Sequence, residues 1–305
     1  FGIVGSTLLL SWREWRGFRV ALADAALFRD LWRYGLPLSI ALFLSFVVSS
    51  SDRFLLAWII DEKAVGLYSA GYDLAQLTLG TLMMIVNLAA YPLIVRTLEQ
   101  RGKEAAHAQL SQYSLLLFAI ALPVTLGFIV LAGNIAHVVL GAAFSPSAAQ
   151  LLPWFASAAL IAGLKAFYYD LAFQLARRTQ WQVWVVLAAA GINLLLNLLW
   201  IPMFGLLGAA YATVLAYSVG LILSVWLGRK IFRLPTRSAD LIKVMVAAVM
   251  MAAALWITHD FYGIGMLVVQ LLVGMSVYLT GLMLLNVADC QRSAVRTLCR
   301  LSKST

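Results

Sequence analysis

Charge is scarce in this chain. Only 11% of its 305 residues are Asp, Glu, Lys or Arg, against about 25% in an ordinary soluble domain, and that scarcity excludes the usual water-facing surface. Cysteine is nearly missing, with two residues, Cys290 and Cys299, both near the carboxy terminus, so no disulfide framework is available. The three histidines, His107, His137 and His259, fall in separate connections, which leaves no metal-ligand cluster to propose. No GxxxxGK[ST] run occurs, which excludes a nucleotide-hydrolysing P-loop, and no other motif asks for a cofactor. Long polar stretches are lacking too, so no catalytic domain fits outside the apolar part.

Apolar length is what the chain has instead, at 63% hydrophobic residues. A membrane span needs about 20 mostly apolar residues. Eight full spans fit, near 36 to 60, 74 to 95, 112 to 132, 151 to 175, 181 to 201, 204 to 227, 241 to 258 and 265 to 285. The fold class expected is all-α, a polytopic integral membrane helix bundle. Phe1 to Leu10 reads as the end of a further span, and a start on Phe inside an apolar run leads us to expect that an amino-terminal part precedes it.

Lys and Arg gather in cytoplasmic connections. Assigning alternate connections to one side collects nineteen of the 22 basic residues there, with Lys63 in an opposite loop and Arg53 and Lys165 inside spans. Topology therefore accounts for the formal charge of +9, and nothing calls for a nucleic-acid partner. Residues 11 to 35 read as a cytoplasmic amphipathic linker carrying Trp12, Trp15 and Phe18 among arginines. Residues 36 to 227 read as a six-helix bundle, 241 to 285 as an appended helix pair, and 286 to 305 as a basic tail in which both thiols would stay reduced.

A few polar residues interrupt the spans. Asp52 and Arg53 sit among Val, Phe, Leu and Trp, on a stripe with Ser45 and Ser49; intramembrane charges usually face a bundle interior or a water path. Neighbours in sequence do not face each other on a helix, so each needs a partner elsewhere, and Arg53 is also near enough to the outer end to snorkel. Tyr68, Tyr72, Gln76, Asn87 and Tyr91 share one sector of the second span. They suit either a sugar-contacting surface or, for the two outer tyrosines, an aromatic belt. Asp73 reads as a helix-start dipole partner. Lys165 lies deep in the span 151 to 175 on a face with Tyr169, either toward a substrate or in a salt bridge to Asp52. Asp170 reads as an interface residue. Asn193 and Asn197, one turn apart, precede Pro202, which is expected to break the helix before Gly205 and Gly208 let the next one turn back. Hydrogen bonding between helices explains such asparagines as well as a cavity does.

The stretch GLPLSIALFLSFVVSSSDRFLLAWIIDEKAVGLYSAGYDLA, residues 35 to 75, followed by NxxxN and IPxxGxxGAAxAT at 193 to 213, resembles the polysaccharide (O-antigen or Wzx-type) flippases of the multidrug, oligosaccharidyl-lipid and polysaccharide exporter superfamily. The first motif is specific to the polysaccharide branch, whereas multidrug exporters share the hairpin. The resemblance implies that the chain is the second six-helix half of such a transporter plus two terminal helices, with the amino-terminal half as its partner. It implies an undecaprenyl-pyrophosphate-linked oligosaccharide as substrate, moved across the bacterial inner membrane. Arg53 and Lys165 would then attract the anionic head group, with Asp52, Tyr72, Gln76, Asn87, Tyr169, Asn193 and Asn197 lining the same cavity. Two alternatives stand beside it: an exporter of other solutes, whose cationic drugs would favour unpaired acids, and a sugar-polymerising membrane enzyme, for which the outer connections are short.

Overall fold

A computed structural model describes residues 25 to 141 and 145 to 287. The expected end of a preceding span at 1 to 10, most of the linker and nearly all of the tail, with Cys290 and Cys299, lie outside the described residues. Among the described residues every regular element is helical. In chain order they are α1 (Ala25–Ile59), α2 (Glu62–Ala75), α3 (Thr81–Val130), the short α4 (Ala132–Ile135), α5 (Ser145–Leu164), the short α6 (Leu171–Leu175), α7 (Gln180–Phe204), α8 (Leu206–Ile231), α9 (Ser238–Trp256) and α10 (Ile264–Leu284). Three π-helical turns, Gln76–Gly80, Ala136–Leu140 and Lys165–Tyr169, join α2 to α3, follow α4 and join α5 toward α6.

Among the described residues seven helical stretches are long and apolar enough to cross a membrane. One of them, Glu62–Val130, has 69 residues; at 1.5 Å per residue it would run about 100 Å if straight, far beyond a hydrocarbon core of about 30 Å. It doubles back at Gly102, whose φ of 80° is left-handed and open to glycine at no steric cost. The return is proved by packing: Met83, Val86 and Ile94 share a core with Leu110, Tyr113 and Leu117. Among the described residues eight helical passages of spanning length result, the number of full spans the sequence predicts.

Two boundaries differ from expectation. The segment read as an outer loop before residue 74 is helix from Glu62 onward, because Asp61 caps it, its carboxylate accepting the Ala64 N–H at 2.7 Å, and Glu62 occupies the first turn. Asp73 consequently lies inside α2, not at a helix start. Pro202 does not end its helix either: α7 runs through it to Phe204 and stops at Gly205. The ring costs one backbone bond, which a membrane helix one turn from its end tolerates.

α7 and α8 form a tight antiparallel hairpin. Gly208 allows it, since a Cβ there would lie 2.2 Å from the Trp200 carbonyl oxygen. The buried face of α8 is a run of small residues, including Ala209, Ala212, Ala216, Gly220 and Gly228, the composition that lets backbones approach inside a membrane, where hydrophobic burial gives helices no reason to associate. The α9–α10 pair shares a core with the second arm of α3 and with α5 through Phe128, Ala156, Ala247, Met251, Leu255 and Tyr278. Polar ties fix it at both ends: Tyr278 Oη donates to Ala119 O at 2.7 Å, and Asn134 Nδ2 donates to Gln270 Oε1 at 2.7 Å.

Candidate functional site

The polar residues of α7 and α8 fall on the faces these helices turn inward. On α7 these are Gln182, Asn193 and Asn197; on α8 they are Thr213 and Ser224. Eleven residues separate 182 from 193 and 213 from 224, three turns of α-helix to within about 20°. Because the hairpin is antiparallel, Asn197 meets Thr213 near its closed end and Gln182 meets Ser224 near its open end. Each meeting point surrounds a buried carboxylate.

The first is Asp52, 1% exposed. Its Oδ2 accepts hydrogen bonds from Tyr68 Oη at 2.8 Å and Thr213 Oγ1 at 2.6 Å, and its Oδ1 accepts from Asn197 Nδ2 at 2.7 Å. Asn193 lies one turn along, its Oδ1 accepting from Ser51 Oγ at 3.2 Å. Four helices, α1, α2, α7 and α8, thus converge on one carboxyl group whose partners are all neutral. Among the described residues no cationic side chain pairs with Asp52, and Asn197 Oδ1 and Asn193 Nδ2 are buried without a hydrogen bond. A carboxylate taken from water costs several kcal/mol unless its charge is compensated. Three neutral donors aim at this carboxylate, so its charge is one that a proton could neutralise.

Arg53 points elsewhere. Its guanidinium pairs with Asp73 of α2, and the side chains are 35% and 49% exposed. The Tyr72 ring lies 5.6 Å from the guanidinium carbon, within cation–π range, and Tyr72 Oη is 3.4 Å from Tyr217 Oη. Gln76 opens the π-turn, its amide folded over Gly80, where a Cβ would lie 2.9 Å from Gln76 Nε2.

The second buried carboxylate is Asp170, 1% exposed rather than interfacial as the sequence suggested. Lys165 Nζ lies 2.7 Å from its Oδ2, with the Lys165 side chain 12% exposed. This replaces the expected alternative of a Lys165–Asp52 bridge. In an α-helix residues five apart point about 140° away from each other; here the π-turn Lys165–Tyr169 closes an i to i+5 bond, Asp170 N to Lys165 O at 2.8 Å, and brings both side chains to one side. Ser224 Oγ donates to Asp170 Oδ1 at 2.6 Å and Gln182 Nε2 to Oδ2 at 3.3 Å. The same π-turn presents the Phe167 carbonyl, which takes hydrogen bonds from Tyr113 Oη at 2.6 Å and Asn87 Nδ2 at 3.4 Å. Asn87 therefore ties the two arms of α3 to α5. Tyr169 lines a small cavity of about 70 Å³ with Ser224 and Arg229.

The nine residues singled out from sequence do not form one cavity. Asp52, Asn193 and Asn197 come together, Arg53 and Tyr72 lie beside them on α1 and α2 with Gln76 in the π-turn that follows, and Lys165, Asn87 and Tyr169 belong to the opposite half. Sequence reasoning missed Thr213, Ser224 and Gln182 as ligands of carboxylates; the repeated spacing of eleven on two consecutive helices was the available signal.

The fold defines a multi-pass α-helical membrane protein. Residues 2–98 match a family model described as polysaccharide biosynthesis protein. Among solved structures the chain is similar to the lipid II flippase MurJ in an inward closed conformation, with a TM-score of 0.71 at 14% identity, over 86% of this chain and 56% of the flippase. It is also similar to an outward-facing multidrug resistance transporter of the MATE family in the MOP superfamily, with a TM-score of 0.49 at 19% identity, over 74% of this chain and 54% of that one. The chain thus has the fold of the flippase it matches and spans little more than half of that protein's length. No curated protein matches it in sequence.

Proposed function

We propose that this chain is the carboxy-terminal lobe of a flippase that carries an undecaprenyl-pyrophosphate-linked oligosaccharide across the bacterial inner membrane for polysaccharide or lipopolysaccharide assembly, working with an amino-terminal lobe of the same protein. The observation that carries the reading is the shared fold with a lipid flippase over 86% of the chain; the polysaccharide family model at residues 2–98 points to the same substrate class. In this reading the protein is a transporter and performs no covalent chemistry.

Asp52 is the coupling group of the proposed cycle. Binding of a proton or a small cation at its network changes the charge at a junction of four helices, and so biases how α1 and α2 pack on the α7–α8 hairpin. An ion shifts such an equilibrium only through its different affinity for the two packings.

The test is transport of a fluorescent undecaprenyl-pyrophosphate oligosaccharide in proteoliposomes bearing the chain together with its amino-terminal lobe. Movement between leaflets, lost in Asp52→Asn, is expected. Transport of cationic dyes with no movement of the lipid-linked sugar would overturn the reading in favour of a drug exporter.

A further inference from the structure

Both cations inside the apolar part are already matched, Arg53 by Asp73 and Lys165 by Asp170. Among the described residues, arginines without an ion pair lie at the basic face. A cleft of about 880 Å³ opens at the basic face between the start of α1, the end of the first arm of α3 and the turn from α6 to α7, and its lining includes Arg33, Tyr34, Tyr91, Glu99, Arg177 and Arg178. This volume falls in the range of small-molecule sites.

The turn that carries two of these arginines is fixed. Arg177 holds a left-handed φ of 54°, a conformation that costs a non-glycine residue about 1 kcal/mol or more. Arg178 N–H donates to Phe173 O at 2.8 Å, and Thr179 Oγ1, 1% exposed, donates to Tyr34 O at 2.9 Å, which ties the turn to the opposite wall beside Arg33. Two adjacent guanidinium groups are thereby presented across the cleft from a third. Among the described residues neither Arg33 nor Arg178 forms an ion pair, and Arg177 meets only Glu99 at 3.9 Å, with both side chains largely exposed at 80% and 63%. A pair of that kind contributes little and is readily displaced. Guanidinium forks bind phosphate oxygens bidentately, and Tyr34, Tyr91, Gln174 and Gln180 offer ring faces and amides to whatever the phosphates carry.

We infer that this cleft docks the diphosphate of a lipid-linked sugar at the basic face, with Arg33, Arg177 and Arg178 as its ligands. The inference rests on the flippase reading for the lipid source, since a soluble diphosphate has the same recognition chemistry.

Binding by the purified chain in phosphatidylcholine nanodiscs tests it, with undecaprenyl diphosphate, inorganic diphosphate and phosphatidylglycerol as probes. We expect saturable binding of undecaprenyl diphosphate, weakened at least about tenfold in a variant combining Arg33→Gln, Arg177→Gln and Arg178→Gln, and unchanged in Arg233→Gln, a basic-face arginine outside the cleft. Glu99→Gln, which removes the competing carboxylate, should tighten binding several-fold; this second readout decides the matter even if the triple variant does not fold. Unchanged affinity in both, or no binding by the unmodified chain, overturns the docking site. Inorganic diphosphate binding as tightly as the lipid overturns the lipid source, and phosphatidylglycerol binding equally well reduces the cleft to a general anionic-lipid surface. Transport by the two-lobed protein is read separately: if it moves lipid-linked sugar at the normal rate with all three arginines replaced, the cleft is wrong and the flippase reading stands, whereas absent transport with intact cleft binding sinks the flippase reading alone.

Discussion

Asp52 and Asp170 are equally buried, and each is held between the same two helices, yet their surroundings differ in one respect. Asp170 has a lysine at 2.7 Å and Asp52 has only hydroxyls and amides. The first is an ion pair that also accepts hydrogen bonds from Ser224 and Gln182. The second has hydrogen bonds but, among the described residues, no countercharge. The difference teaches that burial of a charge does not by itself mark function; what matters is whether the charge is already compensated. A compensated pair fixes one packing, and an uncompensated one can respond to a proton or an ion.

The largest effect expected from this contrast is at Lys165. Replacing it with Gln leaves Asp170 buried without its partner, a loss of about 3 to 5 kcal/mol for a buried pair, and membrane abundance should fall sharply. Neutralising both, as Lys165→Gln with Asp170→Asn, keeps the shape and removes both charges, so abundance should recover. Quantitative immunoblotting of single and double variants measures this. Unchanged abundance in the single variant would mean that the pair is not the fixed element described here.

Asp52→Asn should behave in the opposite way, with stability changed by about 1 kcal/mol or less, the size of one net hydrogen bond. The new amide can still accept from Tyr68 and Thr213 through its oxygen, and its NH2 can donate to Asn197 Oδ1, which has no partner in the present arrangement. Abundance should hold while, on the flippase reading, transport by the proposed two-lobed protein is lost. Equal loss of abundance in Asp52→Asn and Lys165→Gln would erase the distinction between the two carboxylates.

Much of this arrangement was legible in the sequence. The eight crossings follow from apolar length, and Asp52 and Lys165 stand out because charge is so rare among the spans. Their partners were hidden for geometric reasons. Lys165 and Asp170 are five residues apart, a separation that regular α-helical projection sends to different faces, and only the π-turn reunites them. A second π-turn at Gln76–Gly80 likewise shifts the register between Tyr72 and Asn87, so the single stripe drawn through Tyr68, Tyr72, Gln76, Asn87 and Tyr91 divides between two parts of the molecule. Asp73 was misread because its helix begins more than a turn earlier than hydropathy alone indicates, at the Asp61 cap.

The smallest effect belongs to the pair Arg53 and Asp73. Their side chains are 35% and 49% exposed, so water screens both the attraction and the loss of it, and neutralising either should cost less than about 1 kcal/mol. The Tyr72 ring near the guanidinium adds a contact of the same modest order, about 0.5 to 1 kcal/mol at an exposed site. Arg53→Gln and Asp73→Asn should therefore shift the melting temperature of the purified chain only slightly, and the charge swap Arg53→Asp with Asp73→Arg should be tolerated. If Arg53→Gln instead lowers stability as far as Lys165→Gln does, exposure is a poor guide to the strength of these pairs, and Arg53 must be assigned to the compensated interior with Asp170.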